Sequence, residues 1–286
     1  MTAGTMPRLG DMPSREGDLT IEGRGIEPIP ESARYGSINR VFTVWFTPNL
    51  VPAAFFLGLL AAAPFLQIGF TTGLIAIIVG NLAGSVLVGV LGQMGPATGM
   101  AQMPLARLPF GKSIVVPGIL NWLSCIGWDG INSVFGAAAL SILTGLDFVP
   151  SLVIIVVAQG ILGIVGHEAI HTFEKWMAIV LGVMFAILTV AIFGQASTGL
   201  ARTDGFTGLD QLGAFVLYAS IVASFVVAWG LYASDYSRYL PSNASRSRIF
   251  WLTGGGRTLS AGWSETRGLL VADKSAGGAV ATIGTI

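Results

Sequence analysis

The chain has 286 residues, of which 53% are hydrophobic and only 10% charged, and its mean hydropathy is +0.74. A soluble domain carries about 25% charged residues, so this balance excludes an ordinary soluble fold and predicts a polytopic membrane protein. The formal net charge is zero, which argues against a nucleic-acid partner, and the single cysteine, Cys125, excludes an internal disulfide framework.

Residues 1–40 are polar, and the apolar stretches beyond them are too long for the h-region of a signal peptide. They predict a cytosolic N-terminal tail. Six apolar spans follow, each near the roughly 20 residues a bilayer requires. They cover 41–64, 70–92, 114–144, 149–166, 172–196 and 211–234, and predict a six-helix transmembrane domain over 41–240. Of the 15 Lys and Arg, all but Arg202 fall on one side of this arrangement. The positive-inside rule then places both termini in the cytosol. The 39 glycines suit close helix packing in lipid, and Gly80 and Gly84 in "GNLAG" form one small-xxx-small pair.

The first span contains "WFTPNLVP", with Pro48 and Pro52 inside an apolar run. Each proline removes a backbone hydrogen bond and crowds the preceding turn. Two readings stand: a simple kink, or an unwound segment of the kind transporters use to hold substrate and ion. Asn49, between the prolines, favours the second.

The third span reads "GILNWLSCIGWDGINSVFGAAALSI". Asn121, Ser124, Cys125, Trp128 and Asn132 recur at helical spacing and share one face. Such a face is costly against lipid, so it is expected to point into the bundle or a cavity. Trp128 offers a π surface for stacking. Asn132, one turn on, offers an adjacent donor and acceptor that match a nucleobase edge. The competing reading is an interhelical Asn hydrogen bond beside a packed Trp. Asp129 lies in the same helix and is a candidate for ion or proton coupling, or for the wet end of a cavity.

Residues 166–176, "GHEAIHTFEKW", fit the H-E-x-x-H pattern in which two histidines one turn apart share a zinc. A membrane metallopeptidase through His167, Glu168 and His171 is therefore an alternative function. Against it, the segment falls at a short turn between the fourth and fifth spans, where a solvated helix start is expected. The sixth span carries "VVAWGLYASDYSRYLP", in which Trp229-Gly230 is a second candidate break and Asp235 and Arg238 are spaced to pair. Residues 241–286, rich in Gly, Ser, Thr and Ala, predict a flexible cytosolic C-terminal tail.

Several segments taken together resemble a known family. "IEGRGIEPIPESAR", "VWFTPNL", "GQMGPATGMAQM", "NWLSCIGWDGINSVFGA" and "YASDYSRYLP" are similar to the nucleobase:cation symporter-1 family, nearest its fungal purine–cytosine permease branch. The likeness runs from about residue 20 to 252. It implies an all-α integral membrane protein of the plasma membrane. Its six transmembrane helices would be the first half of a leucine-transporter-type fold, in which two inverted five-helix repeats alternate access to a central site. It implies import of purine bases and cytosine with a coupled cation, H+ or Na+, by a protein that is not an enzyme and has no cofactor, catalytic residue or resident metal.

By position, the resemblance makes Trp128 and Asn132 the stacking and hydrogen-bonding residues and Trp229 the second aromatic wall. Thr47 to Asn49 fall where the first helix lines the substrate and ion sites. Transporters of allantoin, uracil, hydantoin or thiamine are alternatives within the wider family. The family's later helices are not found in this chain, and the tail from Thr253 reads as non-family sequence. The expectation is thus a permease truncated after its sixth helix, unable to transport alone. Its partners would be a nucleobase, the bilayer and other permease chains, one of which it could regulate.

Overall fold

The computed structural model describes residues 26–165, 167–193 and 209–272. The first apolar run is a broken helix. It consists of α1 (Arg40–Phe46), a 3-10 turn at Thr47–Asn49 and α2 (Pro52–Leu59), and its two halves are bent by 59°. The prolines cause the break. Pro52 opens α2 at a position where its missing N–H is no loss, and it pushes Val51 into extended backbone (φ −129°, ψ 154°). The unwound reading of "TPNLVP" is therefore the observed one.

After the break come α3 (Phe70–Gly92), the short α4 (Met94–Thr98), α5 (Gln102–Leu105) and α6 (Arg107–Phe110), and then α7 (Val115–Thr144), α8 (Phe148–Val165) and α9 (His167–Phe193). α10 (Leu209–Val227) runs on as a 3-10 turn at Ala228–Tyr232, so Trp229-Gly230 tightens the helix at its end. α11 (Arg246–Ala272) completes the described chain. Helices thus occur in all six predicted spans, but the count of six is not reached on length and apolarity. Among the described residues three helices qualify, Phe70–Thr98, Gln102–Thr144 and Asp210–Tyr232, with the bent pair as a fourth. α8 and α9 carry shorter apolar stretches, Phe148–Ile164 and Ile179–Ala191.

The expectation of a flexible tail from residue 241 is corrected: 246–272 is a 27-residue helix seated inside the bundle. Its small residues, read as linker composition, recur every fourth position at Gly256, Ser260, Ser264 and Gly268 and make one narrow stripe. That stripe lets α11 press against the broken first helix. A Cβ on Gly268 would lie 1.9 Å from the Phe55 carbonyl oxygen, and one on Gly256 would lie 2.7 Å from that of Phe42. Gly58 on α2 returns the fit, with the Glu265 carbonyl oxygen 1.9 Å from where its Cβ would stand. Backbones meet here as small residues allow in membrane bundles.

The core lies between α3, α10, α11 and the first helix. Ile77, Tyr218, Val222 and Leu269 pack in one cluster, and Val41, Trp45, Val88 and Ile249 in another. Gly80 and Gly84 serve this packing within the chain: a Cβ on either would come within 2.6 Å of Ala219 or Val226 on α10. α7 and α8 pair with each other and turn Ile119, Leu120, Trp122, Val153, Val157 and Ile161 outward, a surface suited to lipid.

A polar strap closes one end. Arg34 donates to the carbonyl oxygens of Ile29 (3.0 Å) and Pro96 (2.6 Å) and pairs with Glu31 at 3.1 Å. The Ser242 backbone N–H donates to Glu31 Oε1 at 2.9 Å. That bond, with help from the Ser242 hydroxyl and the Arg34 charge, holds the Glu31 carboxyl below the usual carboxylate range. Gly99, at φ +69°, makes the turn that brings the chain under Ile29.

Candidate functional site

Two helices supply most of the site, with the same rhythm. On α7, Ser124, Cys125, Trp128 and Asn132 fall on one face. On α10, its 3-10 extension and the turn that follows, Phe225, Trp229, Tyr232 and Tyr236 recur at i, i+4, i+7 and i+11 and face them. With Pro48, Val51 and Ala53 of the broken helix and Ala228, these side chains line a cavity of about 330 Å³. That volume is at the small end for ligand pockets and suits a single small heterocycle.

Five of the twelve lining residues are aromatic. Trp128 meets Phe225 edge-on at 5.7 Å and 67°, and Trp229 meets Tyr232 at 6.3 Å and 72°. The polar atoms are few. The Tyr232 hydroxyl donates to Asn121 Oδ1 at 2.8 Å and lies 3.1 Å from Cys125 Sγ, tying α7 to the end of the sixth run. Asn132 is exposed, so its carboxamide is open to a ligand. Flat aromatic faces with one carboxamide can hold a planar ring by stacking and read its edge by hydrogen bonds.

The expected site residues divide. Trp128, Asn132 and Trp229 stand together on the cavity wall. Thr47 and Asn49 do not line it: both are buried, and the Thr47 hydroxyl donates back to the Thr43 carbonyl at 3.0 Å. Asn49 is turned away because its Nδ2 donates to the Trp45 carbonyl (2.8 Å) and its Oδ1 accepts from Arg257. The first helix reaches the cavity through the apolar residues beside them. Asp129 points toward α8, where Gln159 Nε2 donates to its Oδ1 at 2.8 Å and to Ser133 Oγ at 2.9 Å. It is outside the cavity wall.

His167, Glu168, Ala169, Ile170 and His171 open α9, but their side chains lie outside the described residues. Among the described residues no three His, Cys, Asp or Glu side chains cluster as a metal site would require. Sequence reasoning overlooked Phe225, Tyr232 and Tyr236, although their spacing repeats the one that picked out α7. It also missed Arg257, whose segment was read as a tail; the four-residue spacing of small side chains was the available signal.

A family model described as "Permease for cytosine/purines, uracil, thiamine, allantoin" matches residues 28–264, which extends the likeness past residue 252 and into α11. The chain is 28% identical over 239 residues to purine-cytosine permease fcyB of Emericella nidulans, covering 82% of this chain and 46% of the relative. It is 30% identical over 244 residues to purine-cytosine permease FCY21 of Saccharomyces cerevisiae, covering 82% and 44%. The chain thus spans about half the length of the curated relatives it matches. Its structure superposes on Mhp1, a nucleobase-cation-symport-1 family transporter in a closed conformation with bromovinylhydantoin bound. The TM-score is 0.67 at 19% identity, over 87% of this chain and 56% of that one. The fold is therefore the all-helical one of that transporter.

Proposed function

The chain belongs to the family of permeases for cytosine and purines, uracil, thiamine and allantoin, and from that premise we propose that its cavity is the purine- and cytosine-binding site of a secondary transporter. The family and the apolar helices make it a membrane protein. The observation that carries the substrate reading is the facing of Trp128 and Asn132 on α7 by Phe225, Trp229 and Tyr232. A base enters flat, loses water against the rings and presents its donor–acceptor edge to the Asn132 carboxamide. Trp128 and Trp229 are the stacking walls. Thr47 and Asn49 act behind the wall, holding the break in shape.

Transport is coupled to a cation, H+ or Na+, with Asp129 as the carboxylate available for proton coupling. The protein crosses the plasma membrane several times with its N-terminus in the cytosol, as the one-sided distribution of Lys and Arg supports. Association with other permease chains is part of the same reading.

Cys125 gives a direct test, since it is the chain's single cysteine and lines the cavity. Adenine or cytosine is expected to slow its alkylation by a maleimide in the purified chain. Protection by allantoin or uracil, with none by adenine or cytosine, would move the substrate class. No protection by any of the four would remove the cavity from binding.

A further inference from the structure

Arg257 is wholly buried at the centre of the bundle, between the break of the first helix and the point where α10 tightens into its 3-10 turn. One guanidinium nitrogen donates to Asn49 Oδ1, at the break of the first helix. Another donates to the Phe225 carbonyl oxygen at 2.9 Å, in the last turn of α10. There the α-helix passes into the 3-10 turn at Ala228–Tyr232, the backbone ladder changes step, and the carbonyl takes the guanidinium as a partner. The guanidinium also lies over the rings of Phe225 (5.3 Å) and Trp229 (5.2 Å), both of which wall the cavity. The Ser264 hydroxyl, two turns along α11, donates to the Asn49 carbonyl oxygen at 3.1 Å and fixes the same break.

A carboxamide oxygen, a backbone carbonyl at the α-to-3-10 junction and two π faces are neutral groups that suit a cation. Transporters built on broken helices place a mobile ion against such unwound backbone and helix C-termini. Here the positive charge arrives covalently attached. We propose that Arg257 is a tethered cation that takes the place of an exchangeable Na+ between the break of the first helix and the 3-10 junction of α10, so that base binding in the adjoining cavity does not depend on Na+. An ammonium or guanidinium at residue 257 holds Asn49, Phe225 and Trp229 in the binding-ready arrangement. A neutral side chain leaves those oxygens facing each other with no charge between them.

The base-binding half of this inference rests on the nucleobase reading, so the test has two readouts on the full purified chain. The first is the adenine concentration that half-protects Cys125 from alkylation, in NaCl and in N-methyl-D-glucamine chloride of equal ionic strength. For the unsubstituted protein it is expected to agree within about twofold between the salts, and likewise for Arg257→Lys. For Arg257→Gln and Arg257→Ala it should rise about tenfold or more without Na+ and recover with it. Protection of the unsubstituted protein only in Na+, or neutral variants that bind equally well in both salts, would overturn the proposal.

The second readout is the thermal unfolding midpoint without any base. Na+ is expected to raise it by about 4 °C or more in Arg257→Gln and to leave the unsubstituted protein unmoved. Equal responses overturn the tethered-cation role even where no base protects Cys125, an outcome that by itself refutes only the nucleobase reading. Should Arg257→Ala fail to fold, the Lys and Gln variants carry the comparison.

Discussion

Removing the Trp128 ring tests the site most directly. The side chain is 37% exposed, lines the cavity and touches Phe225 edge-on. Its loss therefore removes a face that a base would cover while leaving most of the α7 packing in place. Stacking of a base on an aromatic side chain is worth about 1–3 kcal/mol by alanine substitution. At about 1.4 kcal/mol per tenfold, Trp128→Ala is expected to raise the Kd for adenine or cytosine by roughly 5- to 150-fold. Losing the Phe225 contact is expected to cost about 0.5–1.5 kcal/mol beyond the buried area removed, so the unfolding midpoint is read alongside binding. Trp128→Phe keeps a π face and is expected to stay within about threefold of the parent. Equilibrium dialysis of the purified chain with radiolabelled adenine measures all three proteins, with the unfolding midpoint as the folding control. A folded Trp128→Ala protein that binds adenine within about twofold of the parent would refute stacking at this ring.

Gly268→Leu would place a side chain where even a Cβ lies 1.9 Å from the Phe55 carbonyl oxygen. Forcing α11 off α2 is expected to cost about 1–3 kcal/mol or more, a fall of roughly 2–12 °C in the unfolding midpoint; an unchanged midpoint would mean that α11 does not pack there. Asp129→Asn keeps the shape of the Gln159 contact and lies outside the cavity wall, so the adenine Kd should stay within about twofold; a loss of tenfold or more by dialysis would give Asp129 a direct contact with the base.

Glu31 has its folded pKa held down by the Ser242 N–H. Its contribution to stability is present above the unfolded carboxylate value of about 4.3 and lost as pH falls through the lower folded value. Proteolysis at the strap should thus be faster in Glu31→Gln than in the parent at neutral pH. The two rates should converge once the pH is below the lowered folded value, and a difference that persists there would exclude the carboxylate as its source.

Features that depend on local order were legible in the chain. Apolar runs of bilayer length and scarce charge announced a helical membrane protein. The prolines at 48 and 52 announced the broken first helix, because a missing N–H and a fixed φ act on their own turn. The period of α7 brought Ser124, Cys125, Trp128 and Asn132 to one face, since any helix imposes that register on its side chains. Phe225, Trp229, Tyr232 and Tyr236 carried the same period and were equally legible. Pairings between distant segments emerge only when the chain is folded. Asn49 looked like a site residue by its place in the break, but Arg257, 208 residues away, turns it from the cavity into the bundle. Residues 246–272 have the composition of a linker, and nothing local distinguishes a solvated stripe of Gly and Ser from one that lets two backbones touch. The close approach of Gly58 to the Glu265 carbonyl and of Gly268 to the Phe55 carbonyl makes that distinction, because small side chains stabilise a helix in a bundle only when another helix lies against them.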